Sequence, residues 1–192
     1  MVKVAIFHEG NNKKTHDNQL LKLLLENLAL DVNKVKFIGM GNKSEFFKID
    51  NNNYKELKLD IKRNAISKIL FVIDADYIET NAKYGGFDNT LEEIIAIRKE
   101  LNIYEISDVF ITCDLDTKEG YLESLILSTI PVEQQECIET FLECNDFKSK
   151  ENHKAILNQI YKTAYPNAPF DFSHQNFNEL KQKLKNLFKE EK

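Results

Sequence analysis

The chain has no apolar run approaching the roughly 20 residues needed to cross a bilayer, little cysteine and no surplus of positive charge. The first absence points away from a membrane protein. Three cysteines, Cys113, Cys137 and Cys144, are too few and too far apart for a disulfide framework or a zinc ribbon. They read as reduced thiols serving as packing residues in a cytoplasmic protein. The sequence begins directly with strand-like residues, so no secretory leader is expected. A formal charge of -5 and a pI of about 5.5 argue against non-specific coating of nucleic acid. An enzyme acting on nucleic acid is still allowed, because a carboxylate cluster that holds cations makes the charge of the bare chain misleading. Only the tail departs from this balance, with nine lysines against six acidic residues from Asp146 onward. That excess reads as a solvated helix face. Internal repeats and low-complexity segments are also missing. So is a Gly-x-Gly-x-x-Gly after the first strand, which argues against a dinucleotide fold. Gly39-Met-Gly41-Asn-Lys43-Ser44 lacks the glycine that a Walker loop needs before its lysine.

What is present is a soluble-type composition, 42% hydrophobic and 30% charged, in 192 residues, enough for one sizeable core. Ile69-Leu-Phe-Val-Ile-Asp-Ala-Asp76 runs five apolar side chains into two aspartates, the pattern of a strand buried on both faces of a parallel sheet. Val2 to His8 is a second such run, ending at Glu9-Gly10. Strands are also predicted at Val35–Met40 and Val109–Cys113, the last followed by Asp114 and Asp116. Between them, helical periodicity is read over Leu20–Leu28, with Thr15 or Asp17 as its cap, over Tyr54–Lys68 and over Asp88–Leu101. Gly41 to Asn53 reads as a loop anchored by Phe46-Phe47. The order β-α-β-α-β-α-β implies an α/β fold with about four parallel strands flanked by helices.

After Lys118 the pattern turns helical: Glu119–Thr129, Pro131–Cys144, Ser149–Thr163 and Ser173–Lys189. Pro131 suits a first helical turn, and Pro166 and Pro169 break the chain. The expected organisation is an α/β core over residues 1–130 and a helical annex over 131–192 packed on it. Tyr161, Tyr165, Phe170, Phe172 and Phe177 read as core of that annex, not as a base-stacking platform.

Open α/β sheets bind ligands at the carboxyl ends of their strands, where Glu9, Asp74 and Asp76 fall. Two aspartates two apart on an extended end point the same way and can share a divalent cation. The strand ending in Glu9-Gly10, followed by a helix and later by a hydrophobic strand ending in Asp74-x-Asp76, resembles the Toprim family. That family serves type IA and type II topoisomerases, bacterial primases and the nucleases of the overcoming-lysogenization-defect group. Gly41-Asn-Lys43 looks like the Gly-Gly-Lys often found after the second strand in the nuclease branch. Tyr121-Leu-Glu-Ser-Leu-Ile126 resembles the Leu-Glu segment of small stand-alone members. The likeness covers roughly residues 2 to 130. His8 stands where an apolar residue is usual, and the loop after Asp76 carries no basic residue until Lys83.

The resemblance implies Mg²⁺ (or Mn²⁺) held by Glu9, Asp74 and Asp76, with Glu9 also available as general acid/base. Asp114, Asp116 and Glu123 are candidates for a second metal position, and Lys13, Lys14 and Lys43 for phosphate contacts. It also implies a nucleic-acid partner, DNA before RNA, and a separate ATPase that presents it. The activity implied is phosphodiester cleavage or a related phosphotransfer. The alternative is a catalytically weak Toprim-fold binding or regulatory module working through a partner protein. Neither Asp-x-Asp pair is followed by the residues of haloacid dehalogenase-type phosphatases, since Ile78 and Lys118 stand where Thr, Ser or Val would be. The histidines His8, His16, His153 and His174 lack ligand spacing, and His8 reads as a packed or hydrogen-bonded imidazole.

Overall fold

The computed structural model describes residues 4–11, 16–144, 153–157, 159–160 and 171–189. Lys13, Lys14, Tyr161, Tyr165, Pro166, Pro169 and Phe170 lie outside the described residues. Four parallel strands form one sheet in the order β2-β1-β3-β4: β1 (Val4–His8), β2 (Val35–Gly39), β3 (Lys68–Asp74) and β4 (Ser107–Thr112). Their side chains alternate between two covered faces, as the period of two requires. Ala5, Phe7, Ile69, Phe71, Ile73, Val109 and Ile111 face one cluster. Val4, Ile6, Leu70, Val72 and Phe110 face the other.

Helix α1 (His16–Asn27) lays Leu20, Leu21, Leu24 and Leu25 on the second face, and its chain returns to β2 on one side of β1. The next connection passes back over β1. It contains α2 (Lys43–Phe46) and α3 (Asn52–Lys62), whose Phe46, Tyr54 and Leu57 cover the first face. Helix α4 (Phe87–Glu100) follows β3 on that same face through Ile94 and Ile97. The winding therefore reverses between β1 and β3. Such a reversal opens a crevice at the carboxyl ends of the two strands, because their outgoing loops part to opposite faces.

The second face is completed late in the chain. Helix α5 (Leu122–Leu127) contributes Leu122, Leu125 and Ile126. Helix α7 (Asn178–Leu187) contributes Leu180, Leu184 and Leu187, preceded by Phe177. Phe172 and Phe177 do pack in this cluster, ring to ring at 5.4 Å, so they are core of the sheet face itself. Helix α6 (Val132–Glu143) buries only Leu142. Among the described residues no helix is long and apolar enough to cross a membrane.

Several boundaries differ from expectation; the helix expected from Glu119, for example, starts at Leu122. The supposed loop Gly41–Asn53 contains α2, because Phe46 is fully buried and its carbonyl accepts the Tyr54 hydroxyl at 2.6 Å. Helix α3 stops at Lys62, not Lys68. The chain turns at Asn64 with φ +55°, and Ile66 is buried from the connection. The predicted helix from Ser173 starts instead as a 3-10 turn at Gln175–Phe177. Of the cysteines, Cys113 is a packing residue with its thiol pushed up to about 11 by burial, whereas Cys137 and Cys144 are exposed.

Candidate functional site

Glu9 leaves the end of β1 and Asp74 ends β3, and the two strands are direct neighbours, so the reversal point places both carboxylates together. Glu9 Oε1 accepts the Asp74 backbone N–H at 3.0 Å, a bond that ties the two strand ends. The Asp74 side chain is almost fully buried and fully engaged. Its Oδ1 accepts the Thr112 hydroxyl at 2.5 Å and the Leu122 N–H at 3.0 Å. Its Oδ2 receives the Lys154 ammonium at 2.7 Å. Thr112 reaches it because Asp74 and Thr112 are register partners across β3 and β4.

Asp76 does not extend this pattern. Its φ of +58° is left-handed, so the strand alternation that would aim it with Asp74 is lost. The Asp76 carboxylate meets Lys43 of α2 at 3.5 Å while staying within the electrostatic reach of Asp74, Glu9 and Lys154. The backbone of Asp76 is bridged both ways to Gly120, at 2.7 and 3.1 Å. The extended end on which the two aspartates were expected to align is therefore replaced by a left-handed turn at Asp76.

Lys43, read as a candidate phosphate contact, is buried and also donates to the Ala75 carbonyl. Burial lowers its pKa, against the pull of the Asp76 and Glu9 carboxylates. Glu123, on the first turn of α5, is buried and adds to the field on Lys154. Asp114 and Asp116 stand apart. Asp114 Oδ1 accepts the backbone N–H groups of Asp116 at 3.0 Å and Thr117 at 2.8 Å, which makes Asp114 the organiser of its own exposed turn. His8 is fully buried, bonded to the Glu9 carbonyl at 2.6 Å and to Asn18 at 3.3 Å, and burial lowers its pKa.

Two residues join the site that periodicity and spacing did not single out. Asp17, in the first turn of α1, is within the electrostatic reach of Asp74, Lys154 and Glu123. Burial first, then the Asp74 carboxylate, raises its pKa to about 7. Its signal in the sequence was its place just after the Glu9-Gly10 loop, where it looked like a cap. Lys154 had no such signal, being one lysine of a basic tail. Its ammonium is held charged because Asp74, Glu123 and Glu9 together outweigh the cost of burial. The Glu9 pKa is pushed well up, by burial and by the Asp74 and Asp76 carboxylates. Burial likewise raises Asp76, with Lys43 opposing.

The result is a carboxylate-rich crevice neutralised from two sides by lysines. Beside it lies a cavity of about 360 Å³ lined by Asp76, Thr80, Asn81, Tyr121 and Lys154. Among the described residues no three Asp, Glu, His or Cys side chains are arranged to hold a metal ion as they stand. The donor chemistry nevertheless suits a hard cation: carboxylate oxygens from adjacent strands, with ammonium groups already seated against them.

The fold and crevice define an α/β protein with a 2-1-3-4 parallel sheet and an acid-lysine site at its switch point. No protein-family model matches the sequence, and no curated protein matches it significantly.

Proposed function

We propose that the chain is a Toprim-like, Mg²⁺-dependent nuclease or related phosphotransfer protein acting on nucleic acid, with DNA the preferred substrate. The observation that supports this reading is the meeting of Glu9 and Asp74 at the ends of adjacent parallel strands, joined by the 3.0 Å bond from Asp74 N–H to Glu9 Oε1. When bound there, Mg²⁺ would offset charge on the attacking and leaving phosphate oxygens. Asp74 is the pre-aimed ligand, since Thr112 and Leu122 lock one carboxylate oxygen and leave Oδ2 to face a cation. Glu9, its pKa raised by burial and by the Asp74 and Asp76 carboxylates, is suited to proton exchange with a phosphate-ester oxygen. Lys43 screens Asp76 and fixes the β3 exit loop through Ala75. A cytoplasmic location and a separate ATPase that presents the nucleic acid belong to the same reading.

Plasmid nicking in Mg²⁺ or Mn²⁺ tests it. Activity is expected in the unmodified protein, and a loss of roughly 100-fold or more in Asp74→Asn, whose amide lacks the carboxylate charge. If the variant cleaves as fast, Asp74 is not the catalytic ligand. The alternative, a binding or regulatory module without catalysis, draws on one specific observation: both aspartates already have lysine partners. It takes over if neither metal produces nicking or thermal stabilisation.

A further inference from the structure

Among the described residues, Lys154 is the side chain that meets the Asp74 carboxylate from outside the α/β core. Oδ1 is committed to Thr112 and Leu122, both within the core fold. Oδ2 meets a side chain from a segment 80 residues further along, at 2.7 Å. That side chain is not sealed in. Its exposure is 38%, against 2% for Asp74, and it forms one wall of the cavity beside the crevice. Its ammonium also lies 4.5 Å from the centre of the Tyr121 ring, an alternative resting place for a cation displaced from the carboxylate.

A positive charge here is required by the surroundings. Glu9, Asp17, Asp74 and Glu123 all act on this one group. A buried carboxylate without a counter-charge is strongly disfavoured, so some cation must sit at Oδ2 whenever the protein is folded and Asp74 ionised. A divalent ion entering through the cavity meets that need as well, with hard-oxygen affinity and twice the charge. The two cannot share one carboxylate oxygen at bonding distance, because they repel each other.

We propose that Lys154 is a tethered counter-cation that competes with the divalent metal for Asp74, so that occupation of the site releases the 153–157 segment from the crevice. This rests on the metal-site reading above and adds its regulation. Whatever moves the segment, whether a partner protein or a nucleic acid that draws Lys154 onto phosphate, thereby raises metal affinity. By linkage, the metal in turn favours the released segment.

The test uses the full chain and Mn²⁺ alone, followed by titration calorimetry. Lys154→Met, which keeps the aliphatic stem but removes the charge, is expected to bind Mn²⁺ roughly 5- to 150-fold more tightly, the usual range of coupling between linked sites. Lys154→Arg restores the cation and is expected to bind near the unmodified level. Hydrogen exchange of the unmodified protein gives a readout that needs no variant: amides of 153–157 lose protection on saturation with Mn²⁺. Equal affinities in the wild type and Lys154→Met, with binding still abolished by Asp74→Asn, overturn the competition and leave the metal site standing. Weaker binding in Lys154→Met overturns it too, since the lysine would then be assisting the metal. Absence of Mn²⁺ binding in every variant sinks the metal site, and the competition with it. Unchanged protection of 153–157 on saturation also counts against the proposal.

Discussion

At the scale of single residues, the site is governed by how many charges a small buried volume tolerates. Asp17 shows this most directly. Its pKa moves from 3.8 to about 7, first through burial and then through the Asp74 carboxylate. In the pH window between those values the folded protein keeps a proton that the unfolded chain has released. Folding therefore takes up a proton, and the stabilisation present at low pH is lost as pH rises through the folded value. For one proton the slope approaches about 1.4 kcal/mol per pH unit within that window. Asp17→Asn is neutral at every pH and removes this share. Urea unfolding of the metal-free protein at a series of pH values is expected to show the wild type losing stability from about pH 5 to 7 more steeply than Asp17→Asn. Glu9, raised in the same direction, leaves a residual slope in the variant. Equal slopes would mean that Asp17 titrates as an ordinary surface acid.

At the scale of elements, the crevice depends on how strands end more than on how they run. Strand β3 stops at Asp74 because the next residues are held by the bridge between Asp76 and Gly120. Gly120 has φ +103°, and a Cβ there would collide with the Ser124 hydroxyl at the start of α5. Gly120→Ala is expected to lower stability by about 1–3 kcal/mol, read as a lower urea midpoint with an unchanged m value. An unaltered midpoint would show that the bridge does not hold the turn. The strands themselves were legible in the chain, because β1 and β3 are buried on both faces and so read as unbroken apolar runs. Glu9, Asp74 and Asp76 were legible for the same reason, as the acidic residues that follow those runs. The turn at Asp76 was not, since a left-handed φ at a non-glycine residue leaves no trace in hydrophobic pattern. Nor were the burial of Lys43 and the arrival of Lys154. Both depend on tertiary approach across 32 and 80 residues respectively, to Ala75 and to Asp74.

At the scale of the whole molecule, the last described helix, unlike α6, is built into the sheet. Helix α7 places Leu180, Leu184 and Leu187 on the face formed by Val4, Ile6, Leu70, Val72 and Phe110. It is also pinned at its middle and its C-terminal end: Lys183 pairs with Asp108 at the start of β4, and Lys68 at the start of β3 donates to the terminal carbonyls of Asn186 and Lys189. A cation at the carbonyl end of a helix is favourable, so this pin agrees with the helix dipole. By contrast, Phe141 of α6 is 46% exposed. These placements separate two substitutions that look alike in sequence, each removing a large apolar side chain from a C-terminal helix. Leu184→Ala is expected to cost about 2–5 kcal/mol, the range for emptying a fully buried leucine site. Phe141→Ala is expected to cost clearly less, since nearly half of that side chain is exposed. Urea denaturation followed by far-UV circular dichroism measures both. Similar losses would place α6 in the cooperative core, and a negligible loss at Leu184 would detach α7 from the sheet. The expected contrast means that residues beyond the α/β core are needed for folding, because α1 and α5 leave one face of the sheet only partly covered until α7 is added.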